Sequence, residues 1–197
     1  MTTSVPDYSS RVLILSAPSG AGKTSLARAL AEKRPDVGIT VSHTTRDQRP
    51  GETDGIHYHF VSRDDFLQLV EAGGFVEYAT VFEHYYGTSV RAINDILDQG
   101  HYAILDIDWQ GAREVRERFP GSQSVFIVPP SLDVLESRLR SRRRDSDAVI
   151  RERMEKAQSE MSHADEYDTV LVNDNFGRAL AVLESMLDSS PENGRDN

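Results

Sequence analysis

Residues 11–30, RVLILSAPSGAGKTSLARAL, restrict the possible folds more than any other stretch of the chain. Val12, Leu13, Ile14 and Leu15 form an uninterrupted apolar run, the pattern of a strand buried on both faces. Ala17-Pro18-Ser19-Gly20-Ala21-Gly22-Lys23-Thr24 follows, after which Leu26, Ala27, Leu30 and Ala31 recur with helical spacing. Buried strand, glycine-containing turn, Gly-Lys-Thr and helix make the context that a phosphate-binding loop needs. The glycines let backbone N–H groups curl round an anion, and the helix N-terminus adds partial positive charge. In such a loop Lys23 reaches the outer phosphates and the Thr24 hydroxyl ligates magnesium. The general pattern begins with glycine, where this chain has Ala17. A plain Gly/Ser turn is the competing reading, but Gly-Lys-Thr at a helix start directly behind a buried strand favours phosphate binding.

With 197 residues the chain suits one or two domains and can bury a sizeable core. Its 22 Lys and Arg stand against 32 Asp and Glu, for a formal net charge of -10, which argues against a general nucleic-acid or membrane-surface binder. The absence of cysteine excludes disulfides, thiolate metal sites and cysteine nucleophiles. No apolar run approaches the ~20 residues that span a bilayer, and MTTSVPDYSS lacks a signal-peptide core, so a cytoplasmic protein is expected.

After the first helix, which Pro35 ends, Ile39–Val41 predicts a second core strand. Ser42–Gly55 is polar and rich in turn formers, and His57–Val61 predicts a strand. Ser62 with Asp65 resembles a capping box for a helix carrying Phe66, Leu67, Leu69 and Val70, and Phe75–Phe82 alternates as a strand does. Short antiparallel strands round one small helix suggest a lobe inserted into a βαβ chain. The core resumes with a Ser89-capped helix, the apolar strand Tyr102–Asp108, a helix with Ala112 and Val115, and a strand at Val125–Val128. Further helices surround Leu135 and Met154, then come a strand at Thr169–Val172 and a helix with Leu180, Leu183 and Leu187. Alternating strands and helices give a parallel sheet covered on both faces, with ligands at the carboxyl ends of its strands.

Asp106 and Asp108 end a buried strand, where nucleotide-bound magnesium needs carboxylates, and their spacing predicts that they share a face. Arg46 and Arg49 lie in the polar loop beside Tyr58 and near Tyr86. Arg138, Arg140, Arg142, Arg143 and Arg144 form a basic run, with Arg153 on the next helix. Guanidinium forks bind phosphates bidentately and neutralise charge during phosphoryl transfer. The bland alternatives are solvated strand-end acids and a solvated helix end. The histidines show no metal spacing and no nucleophile partner.

SAPSGAGKT, VSHTTRDQRPGETDGIHYHFVS, YYGTS, ILDIDWQG and VND, in this order, resemble the guanylate kinase family, in its bacterial form, from about Arg11 to Leu187. The resemblance implies an α/β P-loop nucleoside monophosphate kinase fold, a parallel sheet flanked by helices. Its core would be residues 11–41 and 89–187, with a GMP-binding lobe at 42–88, an arginine-rich lid at about 138–156 and disordered termini at 1–10 and 188–197. It implies transfer of the γ-phosphoryl of ATP to GMP, or dGMP, with Mg2+. Ala17, Pro18, Ser19, Gly20, Ala21, Gly22, Lys23, Thr24 and Asn173 would bind ATP. Ser42, Glu77, Thr88 and Asp106 would surround guanine, and Arg46, Arg49, Glu52, Tyr58 and Tyr86 would serve the GMP phosphate. Lys23, Arg46, Arg138, Arg142 and Arg153 would act in catalysis, and Thr24, Asp106 and Asp108 toward the metal, directly or through water.

Guanine offers N1–H and an exocyclic amine, two donors that one carboxylate at Glu77 can accept together, whereas adenine has a bare N1 acceptor. Arg143-Arg144 and Glu83-His84 depart from the family's usual residues, and the second pair is expected to alter its turn. Two other readings carry different chemistry. A peptide-binding relative of the fold usually loses parts of the phosphate loop, which is present here. A sugar-phosphate kinase would not need Ser42, Glu77 and Thr88.

Overall fold

All five residues of β1, Val12–Ser16, are buried, because strands pair with it along both edges and helices cover both faces. The computed structural model describes residues 8–81, 83–141 and 146–189. β2 (Val37–Ile39), β7 (Tyr102–Asp106), β8 (Gln123–Val128) and β9 (Thr169–Val172) complete a sheet of order β2-β7-β1-β8-β9, every pair parallel. Alternation along β1 divides the core. Leu13 and Leu15 pack with Leu26 and Leu30 of α1 (Lys23–Lys33) and Leu183 of α7 (Phe176–Asp188). Val12 and Ile14 pack with Ile93 of α3 (Val90–Leu97), Ala112 and Val115 of α4 (Trp109–Arg118) and Phe126.

The second sheet has the order β4-β3-β6-β5, from β3 (His43–Thr44), β4 (His59–Phe60), β5 (Phe75–Val81) and β6 (His84–Ser89). Helix α2 (Arg63–Glu71) closes it through Phe66, which is fully buried and stacks on Phe75 and Tyr85 at centroid distances of 4.5 and 5.3 Å. Ser62 caps α2 by accepting the Asp65 N–H, while its hydroxyl donates to the Asp65 carboxylate at 2.6 Å. α5 (Leu132–Ser141) and α6 (Asp147–Met161) share a smaller core of Leu135, Leu139, Ile150 and Ala157. No helix among the described residues is long and apolar enough to cross a membrane.

Several details differ from the expectations of the sequence. The second core strand lies at 37–39 rather than 39–41, because Val37 pairs with Tyr102 and Ile39 with Ile104. The small sheet is not wholly antiparallel. β3 and β4 run parallel, with His43 opposite His59, because the long polar stretch between them acts as a crossover that returns the chain in the same direction. Residues 57–61 shorten to a two-residue strand. The leader is ordered from Tyr8, where a 3-10 turn begins, and Ser9 is buried so close to Gly121 that a Cβ there would meet its hydroxyl at 2.4 Å. Asp188 still belongs to α7 and Ser189 caps it; the rest of the expected disorder, 1–7 and 190–197, lies outside the described residues.

The departure at Glu83-His84 falls on the turn between β5 and β6. Glu83 has φ 66°, and it is the one non-glycine residue with positive φ among those described. A Cβ in this region crowds the following carbonyl at a cost of ~1 kcal/mol. Replacing Glu83 by glycine removes that crowding and adds chain entropy to the unfolded state. Glu83→Gly is expected to raise the free energy of unfolding by up to about 1 kcal/mol. Urea denaturation checks this, and a loss of stability would mean that the turn carries no strain.

Candidate active site

The phosphate loop lies between β1 and α1. Gly20 and Gly22 have φ of 98° and 104°, conformations open to glycine at no steric cost. The Ala21 N–H donates to Pro18 O at 3.1 Å, which closes a turn, and Gly22 caps α1 without a side chain, leaving its first N–H groups facing the loop. The walls are close. A Cβ on Gly22 would come within 2.5 Å of Asn173 Nδ2, and one on Gly20 within 3.0 Å of Leu135 and Leu139. The buried Asn173 donates from Nδ2 to Ala21 O at 2.7 Å. Arg138 donates to Asn173 O at 2.9 Å and to Ala21 O at 3.4 Å. Asn173 and Arg138 therefore hold the loop's shape from behind.

Opposite the loop, β7 ends at Asp106. Its carboxylate takes the Lys23 ammonium at 2.6 Å on Oδ1 and the Thr24 hydroxyl at 2.6 Å on Oδ2, while Lys23 also donates to Ile107 O at 2.9 Å. Burial on its own would lower the pKa of Lys23. Asp106, with smaller help from Tyr58 and Asp108, outweighs it and holds the ammonium above its ordinary value, so Lys23 is charged. Asp108 does not share the strand face predicted for it. The strand stops at Asp106, and Asp108 is the N-cap of α4, accepting the Gly111 N–H at 3.0 Å and the Gln110 amide at 3.2 Å. An aspartate just ahead of a helix is better used on the helix's unpaired N–H groups than in continuing a strand.

Glu77 lies opposite Thr88 across β5 and β6, beside a register shift between Phe75 and Glu77. That bulge breaks the alternation, so Phe75, Val76 and Glu77 are buried in succession and Glu77 turns inward. Burial pushes its carboxyl up to about 7; hydrogen bonds from the Thr88 hydroxyl and N–H oppose the shift, and Asp108 and Glu114 add to it. Ser42 Oγ lies 3.2 Å from Thr88 Oγ1, so Ser42, Glu77 and Thr88 form one polar cluster. Gly111 completes it. A Cβ there would sit 2.3 Å from Glu77 Oε2, so the carboxylate keeps its position only because α4 has no side chain at that point.

A second cluster surrounds Arg46, which is nine-tenths buried. Its guanidinium donates to both oxygens of Glu52 at 2.9 and 3.1 Å and lies 5.5 Å above the Tyr58 ring. The Arg49 N–H donates to Glu52 at 2.8 Å, which ties the polar loop to the same carboxylate. Tyr58 meets Tyr86 edge-on at 5.8 Å. Burial and the neighbouring Asp106 push the Tyr58 phenol upward, so it keeps its proton and can donate it.

Among the arginines of the basic run, Arg140 is a staple between helices, pairing with Glu136 at 2.8 Å and Asp147 at 2.5 Å. Arg153 is half-buried on α6. Arg142, Arg143 and Arg144 lie outside the described residues. Sequence reasoning missed Gly111, although its motif was in view, because the need for a missing side chain shows only against the strand packed on it. It also missed the Asn173–Ala21 bond, which joins residues 152 positions apart.

A parallel sheet with a glycine-bent phosphate loop behind its central strand, and a carboxylate from the neighbouring strand on the loop's lysine, defines the class of phosphate-loop nucleotide phosphotransferases. The family model for guanylate kinase matches residues 9–190. Among curated relatives, the guanylate kinase of Idiomarina loihiensis is 57% identical over 89% of this chain and 85% of its own, and that of Legionella pneumophila is 50% identical over 93% and 88%. The crystal structure of guanylate kinase from Anaplasma phagocytophilum aligns with a TM-score of 0.73 at 35% identity, over 89% of this chain and 83% of that one. The chain belongs to the guanylate kinase family.

The raised carboxyl of Glu77 has a thermodynamic signature. Below pH 4.5 it is neutral in the folded and unfolded chain alike. Between pH 4.5 and about 7 the unfolded chain ionises and the folded chain does not, so stability falls as pH rises and the full penalty remains above 7. Glu77→Gln removes a cost of about 3 kcal/mol on this reckoning. In urea denaturation the variant is expected to gain on the parent between pH 4.5 and 8; parallel curves would show that Glu77 ionises normally.

Proposed function

We propose that the chain transfers the γ-phosphoryl group of ATP to GMP, giving ADP and GDP, with ATP carried as its magnesium complex. The observation that carries this reading is the inward-turned Glu77 carboxylate, joined to Thr88 and Ser42 and lying against the helix that Asp108 caps. Once ionised, that carboxylate accepts guanine's N1–H and exocyclic amine together, and adenine's bare N1 would leave it unpaired. Thr88 and Ser42 supply hydroxyls to the same base, and Asp106 borders it from the end of β7.

Arg46, Arg49, Tyr58 and Tyr86 hold the GMP phosphate, with Glu52 fixing the fork of Arg46 before the ligand arrives. Residues 17–24 take the ATP phosphates on their N–H groups, and Lys23 is charged for the outer ones. Asn173 and Arg138 serve ATP by shaping the loop. The Thr24 hydroxyl and Asp106 carboxylate are hard oxygen donors that suit magnesium, with Asp108 within reach through water; phosphates and waters would fill the remaining positions. Magnesium bound there would neutralise charge on the phosphate oxygens. Residues 42–88 act as the GMP lobe and about 138–156 as the lid, bringing Arg138, Arg142 and Arg153 toward the transferring group. Positioning and charge stabilisation provide the catalysis, and closure keeps water from the phosphoryl group.

ADP formation measured with ATP and magnesium against GMP, AMP, UMP, CMP and ribose bisphosphate tests the reading. Turnover with GMP alone is expected. Turnover with the sugar phosphate would remove Glu77 from base recognition, and none with any acceptor would favour a peptide-binding module. Lys23→Met is expected to abolish turnover with the thermal midpoint little changed; retained activity removes the loop from the mechanism. Gly111→Ala, by displacing Glu77, is expected to raise KM for GMP about tenfold or more and leave KM for ATP unchanged. Equal effects on both substrates would mean that Gly111 serves packing alone.

A further inference from the structure

Trp109, the chain's one tryptophan, has no part in the chemistry above. It opens α4 directly after the cap Asp108, and its ring lies flat on the His163 imidazole, with centroids 3.7 Å and planes 10° apart. The stack joins two distant stretches of chain, because His163 follows the end of α6. Glu166 fixes both partners. Its Oε1 lies 2.7 Å from His163 Nδ1 and accepts from Arg113 at 2.6 Å, while Oε2 accepts from Arg113 Nε at 2.8 Å. Hydrogen bonds from Arg113, and then from His163, hold the Glu166 carboxyl down at about 2. An ionised carboxylate only accepts, so His163 Nδ1 carries the hydrogen. The Arg113 guanidinium also stands 4.7 Å from the Trp109 ring, and Arg116 donates to the Glu166 carbonyl.

Helix α4 serves the guanine side. Gly111 leaves room for Glu77, Glu114 accepts the Tyr78 N–H at 3.3 Å, and Arg118 donates to Phe75 O at 3.3 Å, so α4 and β5 are fastened along their length. Helix α6 serves the lid side. Ile150, Met154 and Ala157 share a core with α5, whereas Met161 and Ala164, at and beyond its end, pack on the core that holds Ala112 and Val115 of α4. The stack closes that second junction at its rim, where the His163 side chain is 20% exposed.

We infer that Trp109 and His163 are positioning residues for the phosphoryl transfer: their stack ties the end of the lid helix α6 to the helix that carries the guanine-binding strand. The inference rests on the proposed guanine pocket and lid. Glu77 lies against α4 at Gly111, close behind Trp109, and a guanine held by that carboxylate acts on α4 through the same contact. The stack then passes a shift of α4 to the end of α6. Without it GMP and ATP still bind, each at its own end of the site, but the lid closes without reference to the acceptor. Misalignment of the reacting groups lowers kcat and leaves each KM nearly as it was.

Steady-state kinetics of His163→Ala, His163→Phe and His163→Gln test the inference, with the thermal midpoint of each as a check on folding. His163→Ala is expected to lower kcat about tenfold, while KM for GMP and for ATP each stay within about twofold. His163→Phe keeps a ring on Trp109 and is expected to recover most of kcat. His163→Gln keeps a donor toward Glu166 without a ring and is expected not to. Recovery in His163→Gln, or none in His163→Phe, overturns the stack as the positioning contact. An unchanged kcat in His163→Ala, or losses of kcat that follow the thermal midpoint across the three variants, overturns the positioning role. Because Trp109 is the sole tryptophan, its emission reports the stack, and GMP added without ATP is expected to change it in the parent. Emission unmoved by GMP overturns the link from pocket to stack. Turnover of the parent separates the two levels. With it present, these results refute this inference alone; without it, the phosphotransferase reading falls and the inference falls with it.

Discussion

The parallel pairing of β1 with β7 is the contact on which the rest of the molecule depends. Its register sets Leu15 opposite Asp106, so the chain leaving β1 turns into the phosphate loop beside the carboxylate that ends β7. Lys23 and Thr24 meet Asp106 at 2.6 Å because the two strands stop at the same level. The pairing is secure because β1 is buried on both faces, and a slip along either neighbour would expose apolar residues and separate loop from carboxylate at once.

Helix α4 carries this arrangement outward. Asp108 begins it, Gly111 in its first turn leaves room for Glu77, and Glu114 accepts the Tyr78 N–H at 3.3 Å, so one helix fixes strand β5 against the main sheet. Asp108 acts electrostatically on Lys23, Glu77 and Glu160 together, supporting the lysine and opposing ionisation of both glutamates. A chain with net charge -10 thus concentrates positive charge where two anionic nucleotides would meet, and keeps its carboxylates there either paired or reluctant to ionise.

The back of the phosphate loop is equally specified. Asn173 and Arg138 converge on Ala21 O, and two leucines of α5 press on Gly20. The loop's N–H groups are therefore organised before a ligand arrives, so less ordering remains to be done on binding. The same elements connect the loop to α5 and α6, the helices on either side of the basic run. A shift of α5 or α6 can thus reach the loop through direct packing.

Much of this was legible in the amino-acid sequence. The uninterrupted run Val12–Leu15, Gly-Lys-Thr at a helix start and the apolar strand before Asp106 are local patterns, and they define the sheet, the loop and the family. The capping role of Ser62 was legible for the same reason, since a cap is made within one turn of its helix. Tertiary structure alone decided what depended on distant partners. The β5 bulge turns Glu77 inward, Gly111 is defined by a side chain that would collide with Glu77, and Asn173 reaches Ala21 across the length of the chain. Asp108, read as a strand residue, became a cap because the helix it precedes competed for it. Local pattern fixes which element a residue belongs to, through short-range sterics and burial; which polar group meets which is set by packing between elements, and no spacing within the sequence encodes it.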